Sequence, residues 1–155
     1  MLSIIEVKTE QHLVDTKSLL MEYGSMRDHD VALGDYHNEL ETLPGKYAPP
    51  DGCLLIAYYE DAPAGCVAYR KIDEHICEMK RLYVNMEYLG KKIGKQLVDE
   101  LIKVAKQNGY SLMRLDTHPW MKNANELYQK FGFTEISAYH INPTKGIKYY
   151  ELKLT

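Results

Sequence analysis

The sequence contains no apolar run approaching the roughly 20 residues that a membrane-spanning helix needs. Met1 to Lys8 lacks the basic start and following apolar stretch of a signal peptide. A cytoplasmic location without a membrane partner is therefore the expectation. Cysteine is scarce. Cys53, Cys66 and Cys77 are odd in number, show no C-x-x-C spacing and lie in apolar or alternating runs, so they read as buried thiols rather than metal ligands or a disulfide. No internal repeat, low-complexity segment, tail or linker is evident. Positive charge is not in excess either, and a net charge of −3 argues against nucleic-acid partners.

What is present is an ordinary globular composition. With 155 residues, 45% hydrophobic and 26% charged, the chain is expected to form one domain over residues 1–155, built on one core. The charge is unevenly placed. From Lys80 to Lys106 seven Lys or Arg face three acids, a local +4 that leaves −7 on the rest. Such a patch suits one small anionic ligand.

The hydrophobic periods give an element order. Ser3–Lys8 reads as a strand, and Leu13, Thr16, Leu20 and Tyr23 fall at helical spacing. A short helix is expected from Asp35 to Thr42, followed by LPGKYAPPDG, a shaped loop with three of the six prolines. GCLLIAYYED and APAGCVAYRKID read as a hairpin turning at Glu60 to Pro63, and HICEMKRLYVN extends it into a meander. Ile93, Leu97, Leu101, Val104 and Ala105 form a stripe that stops at Asn108-Gly109. SLMRLDT is then a strand, Met121 to Phe131 a helix with Ala124, Leu127 and Tyr128 on one face, and TEISAYH and IKYYELKL two closing strands. The order β-α-α-β-β-β-α-β-α-β-β predicts an α/β fold, with about four helices around a central mixed, mostly antiparallel sheet.

Between the third of the meander strands and the next helix stands YLGKKIGKQL, two glycines among lysines at a helix start. Unpaired first-turn N–H groups and the positive end of the helix dipole make such a place a phosphate site. A P-loop needs four residues between its glycines and Ser or Thr after its Lys; here there are three, and Gln96 follows Lys95. A dinucleotide fingerprint needs three glycines early in a βαβ unit, and only Gly90 and Gly94 are present. LGKKIG, Leu89 to Gly94, instead resembles the acetyl-CoA loop Q/R-x-x-G-x-G/A of the GNAT superfamily of N-acetyltransferases. Leu89 stands in place of Gln or Arg, and Lys92 in place of the first motif glycine. KRLYVNMEYLGKKIGKQLVDELIKVAKQNGY is similar to that family's strand, loop and helix. LDTHPWMKNANELYQKFGF resembles its closing A-x-x-L-Y-x-x-x-G-F segment at Ala124, Leu127, Tyr128, Gly132 and Phe133, with Met121 where an Asn is common.

The resemblance implies acetyl transfer from acetyl-CoA, as co-substrate and without a metal, to a primary amine of a small molecule or peptide. It places the CoA pyrophosphate on Leu89, Gly90, Lys91, Lys92, Ile93, Gly94 and Lys95. The pantetheine arm falls on Leu82, Tyr83 and Val84, where the sheet splays between its fourth and fifth strands. It makes Glu78 the candidate base, with His118 in reserve, and Tyr128 the acid for the leaving thiolate. Each has a plainer alternative: an ion-paired strand glutamate, a loop histidine and a core aromatic. Asp28, His29 and Asp30 imitate a metal cluster, but adjacent ligands cannot all face one ion from regular structure. Asp28, Asp30, Asp35, Glu39 and Glu41 hint at a cationic acceptor or form a solvated face. Dimers are common in the resembling family, and Ile147 to Leu154 has the pattern of an edge strand for pairing into a homodimer. A non-catalytic acyl-CoA-binding domain of the same fold is the rival reading.

Overall fold

The first helix starts with a reciprocal cap. Thr9 Oγ1 accepts the His12 N–H at 3.1 Å, and His12 Nδ1 accepts the N–H of Thr9 at 3.2 Å and of Lys8 at 3.1 Å, so histidine does the work usually given to Glu or Gln. In this computed structural model, which describes residues 1–25, 33–119, 122–140 and 145–154, the chain forms seven strands and four α-helices. These are β1 (Leu2–Glu6), α1 (Glu10–Ser25), α2 (Leu33–Glu41), β2 (Cys53–Tyr59), β3 (Ala62–Lys71), β4 (Ile76–Val84), α3 (Ile93–Gln107), β5 (Leu112–Thr117), α4 (Lys122–Phe131), β6 (Thr134–Ile136) and β7 (Lys148–Lys153). The predicted mixed α/β order is the order found, with two short 3-10 turns added at Gly45–Tyr47 and Met86–Tyr88.

The strands form one open sheet in the order β1-β2-β3-β4-β5-β7-β6. Every neighbouring pair is antiparallel except β4 with β5. Both faces are covered. The apolar stripe of α3, with Leu97, Val98, Leu101 and Ala105 fully buried, packs with Leu55, Val67, Cys77, Met79, Met113 and Leu115 on one face. On the other, Leu19, Leu20 and Tyr23 of α1 meet Ile56, Cys66 and Tyr83. Each cysteine is a free, buried thiol, as its setting predicted, and burial pushes all three up to about 12.

Two expectations for the C-terminal end need correction. The stretch Ile147 to Leu154 does not supply a free edge: β7 pairs with β5 on one side, and Tyr149, Tyr150 and Glu151 pair with β6 on the other. The edge strands are β1 and β6, so pairing of edges into a homodimer would have to use one of them. TEISAYH is a strand only over Thr134–Ile136. Tyr139 and His140 leave the sheet because their side chains are bound over its face, to Glu78 and Asp116 respectively.

Candidate active site

The parallel junction of β4 and β5 is short. Only Ile76 with Leu112, Cys77 with Met113 and Glu78 with Arg114 are in register, after which the two strands part. β4 continues to Val84, paired on its other side with β3 alone among the described residues. A bulge marks the parting: the register with β3 skips between Cys66 and Ala68, and Arg81 takes a left-handed φ of 64°. Two contacts hold Arg81 there. Its Nε and Nη2 bind Glu39 at 2.7 and 3.0 Å, and its guanidinium lies 4.9 Å from the centre of the Tyr36 ring. On β3, a Cβ at Gly65 would stand 2.7 Å from the Tyr83 carbonyl oxygen, so only glycine lets the strands approach this closely. The outcome is an open backbone edge over Leu82, Tyr83 and Val84.

That edge leads into the α3 loop. Asn85 accepts the Glu87 N–H at 2.9 Å and turns the chain; Gly90 has φ +85° and Lys92 φ +61°, and α3 begins at Ile93. The Gln96 N–H bonds Lys92 at 3.2 Å, so the preceding N–H groups of Ile93, Gly94 and Lys95 form the unpaired first turn. A side chain at Gly90 would meet nothing within 4 Å, and at Gly94 it would reach Val84 at 3.6 Å. The loop is therefore open above Gly90. Leu89, Lys91, Lys92 and Lys95 are exposed, Ile93 is buried, and Lys91 is drawn over the Tyr59 ring at 4.8 Å. The left-handed geometry of Lys92 explains why a glycine is usual there.

On the α1 side of the sheet the register lines up a row of alternating charge. Arg70, Glu78, Arg114 and Glu151 are successive partners across β3, β4, β5 and β7. Glu78 is fully buried: Oε1 accepts Arg70 Nε at 2.8 Å and Oε2 accepts the Tyr139 hydroxyl at 2.5 Å. Arg114 Nε binds Glu151 at 2.8 Å under the Tyr139 ring. Beside this row, Asp116 Oδ2 lies 2.8 Å from His140 Nε2, and Lys80 stands 3.8 Å from both Glu78 and Asp116. Ligand-type atoms of Glu78, Asp116 and His140 lie within 4.8 Å of one another. Lys80 opposes both carboxylates and Arg70 opposes that of Glu78.

Tyr128 is buried against Phe133 and Tyr150 on the α3 side. Burial pushes its hydroxyl well above the ordinary phenol range, and Tyr23 and Asp116 add to the effect. Tyr23 belongs to the opposite face, where its ring packs 5.9 Å from that of Tyr83 on β4. His118 is buried just past β5. The expected acidic face is not a set of open charges where it is described. Glu39 is tied to Arg81, Lys46 and Tyr47, and Glu41 is exposed. Asp28, His29, Asp30 and Met121 lie outside the described residues, as does the side chain of Asp35. Sequence reasoning missed Arg70, Asp116, Tyr139 and His140. Arg114 and Asp116, two charges alternating with the buried Met113 and Leu115, were the available signal.

The sequence profile of the Acetyltransferase (GNAT) family matches residues 15–133. The chain belongs to the GNAT family. An uncharacterized N-acetyltransferase of Schizosaccharomyces pombe is 39% identical to this GNAT chain, with 99% of this chain and 96% of the relative covered. Among solved structures, a GNAT acetyltransferase of Staphylococcus aureus has the same fold at a TM-score of 0.84, with 21% identity and all of both chains covered. PaiA N-acetyltransferase of Thermoplasma acidophilum, solved with coenzyme A, matches at 0.77, with 21% identity and 99% of each chain covered. GNAT membership supports acyl transfer with acetyl-CoA as co-substrate. The open edge of β4 and the open loop above Gly90 fit an extended thiol arm that ends in a pyrophosphate.

Proposed function

We propose that this protein transfers an acetyl group from acetyl-CoA to the primary amine of a small molecule or peptide, by direct attack within a ternary complex. The observation that supports this reading is the succession of two openings: the unpaired β4 edge ends at Val84, and after the turn through Met86–Tyr88 the chain enters the unpaired first turn of α3. Backbone groups of Leu89 to Lys95, with Lys92 and Lys95 nearby and Lys91 anchored on Tyr59, hold the pyrophosphate. Leu82, Tyr83 and Val84 offer backbone partners to the pantetheine arm, and one N–H there polarises the thioester carbonyl. Bound acetyl-CoA supplies an activated acyl carbon. The acceptor ammonium loses one proton before it attacks; its nitrogen then bonds that carbon, the carbon–sulfur bond breaks, the nitrogen loses a second proton and the sulfur gains one, so that one proton is released overall.

Tyr128, kept neutral by burial, donates the proton that the sulfur gains. Glu78 is the basic centre toward which the nitrogen's proton is drawn, since an amine with an ordinary pKa of about 10.4 arrives as an ammonium. The test is CoA release from acetyl-CoA with polyamines, amino acids, aminoglycosides and lysine peptides, alongside calorimetric titration of CoA. Glu78→Gln and Tyr128→Phe should each lower turnover by about 100-fold or more. CoA affinity should stay unchanged in both. Tight CoA binding with no release from any acceptor would favour the non-catalytic acyl-CoA-binding domain.

A further inference from the structure

We propose that Asp116 and His140 form the pair that takes the proton from the acceptor amine, with Glu78 acting through them as a positioning residue. This rests on the acetyl-transfer reading above. Glu78 is 0% exposed, with one oxygen on Arg70 and the other on Tyr139, so its carboxylate offers no face to an entering amine. His140 lies 3.7 Å from Glu78 Oε2, and a third of its side chain remains exposed. It stands between the sealed carboxylate and the outside. Asp116, on β5 beyond the last residue paired with β4, holds His140 Nε2 at 2.8 Å. Asp116 therefore sits at the level where β4 and β5 have already parted.

Position and charge support the same role. Tyr128 packs with the opposite face of the sheet, where burial first, and Tyr23 and Asp116 after it, push its hydroxyl up. The rings of Tyr139 and Tyr149 meet the imidazole edge-on at 4.9 and 5.2 Å and fix its plane. Among the described residues, the charged groups near it include Glu78 and Lys80 of β4, Asp116 of β5 and, behind Glu78, Arg70 of β3. Two carboxylates flank the one imidazole, Asp116 Oδ2 at 2.8 Å and Glu78 Oε2 at 3.7 Å from Nε2. His140 takes in turn the two protons that the ammonium nitrogen loses, one before attack and one as the amide forms, and passes each to water. Tyr128 gives one proton to sulfur and regains it from water, so the step needs no oxidant or reductant.

The experiment uses the full chain and the same CoA-release assay, with the wild type measured first. His140→Ala should lower kcat by about 100-fold or more and leave CoA affinity within about twofold. Added imidazole should restore its turnover in proportion to concentration, a response that a merely structural histidine would not give. His140→Gln should fall similarly and resist rescue, because its amide fills the vacated space. Asp116→Asn, which keeps shape and loses the orienting charge, should lower kcat more than it changes the acceptor KM. Turnover of His140→Ala within about threefold of wild type overturns the proposal. So does a loss in His140→Ala that imidazole fails to restore while melting temperature and CoA affinity are unchanged. A wild-type chain that acetylates no acceptor instead overturns the acetyl-transfer reading, and this inference with it.

Discussion

At the scale of single residues, Glu39 carries the most for the bulge of β4. Its side chain is 12% exposed, and its partner Arg81, at the bulge of β4, is 13% exposed. Burial alone would raise the Glu39 carboxyl. The Arg81 hydrogen bonds and charge, joined by Lys46 and Tyr47, outweigh that and hold it below the ordinary carboxylate value. A carboxyl depressed in the folded state contributes stability that is complete above its unfolded value of about 4.3 and is lost as pH falls through the folded value. Glu39→Gln leaves the Arg81 charge almost buried without its counterion, so it should cost about 3–5 kcal/mol at pH 6. Urea unfolding of both proteins should show this gap closing on acidification below about pH 4. A gap independent of pH would mean that the pair's charge is not what holds the bulge.

At the scale of elements, the close contact of β3 and β4 sets where the backbone edge lies. Gly65→Ala would drive its Cβ into the Tyr83 carbonyl and the Leu97 side chain, and the rigid backbone oxygen cannot yield as a side chain end can. β4 must then shift over Leu82 to Val84. The expected cost is about 1–3 kcal/mol of stability, together with weaker CoA binding. Thermal melts and calorimetry check both; unchanged CoA affinity would separate this edge from the ligand site.

Elements were also what the sequence made legible. The stripe from Ile93 to Ala105 and the β-rich runs of β2, β3 and β4 are local patterns, and they placed α3 and the meander correctly. The α3 loop was legible because its glycines and lysines are consecutive. The charged row was not. Arg70, Glu78, Arg114 and Glu151 come from four strands, and only pairing register brings them side by side. Tyr139 and His140 were hidden for another reason: their alternating pattern reads as strand, whereas side-chain bonds to Glu78 and Asp116 take them out of the sheet.

At the scale of the whole molecule, the sheet is two sheets, β1 to β4 and β5 to β6, joined over three residue pairs. A ligand with an extended amide-bearing arm would supply hydrogen-bond partners where the strands have none for each other. CoA should therefore slow amide hydrogen exchange in β4 and β5 together, not only in the α3 loop. Protection confined to the loop would place the arm elsewhere.

The short seam also ties endurance to supply. A ligand that binds only the folded chain at about 100 times its Kd adds about 2.7 kcal/mol to stability. Each turnover consumes the acylated form but leaves CoA, whose pantetheine arm can fill the same gap. The protein's resistance to unfolding would thus follow the total pool of acylated and free coenzyme, while its output followed only the acylated share.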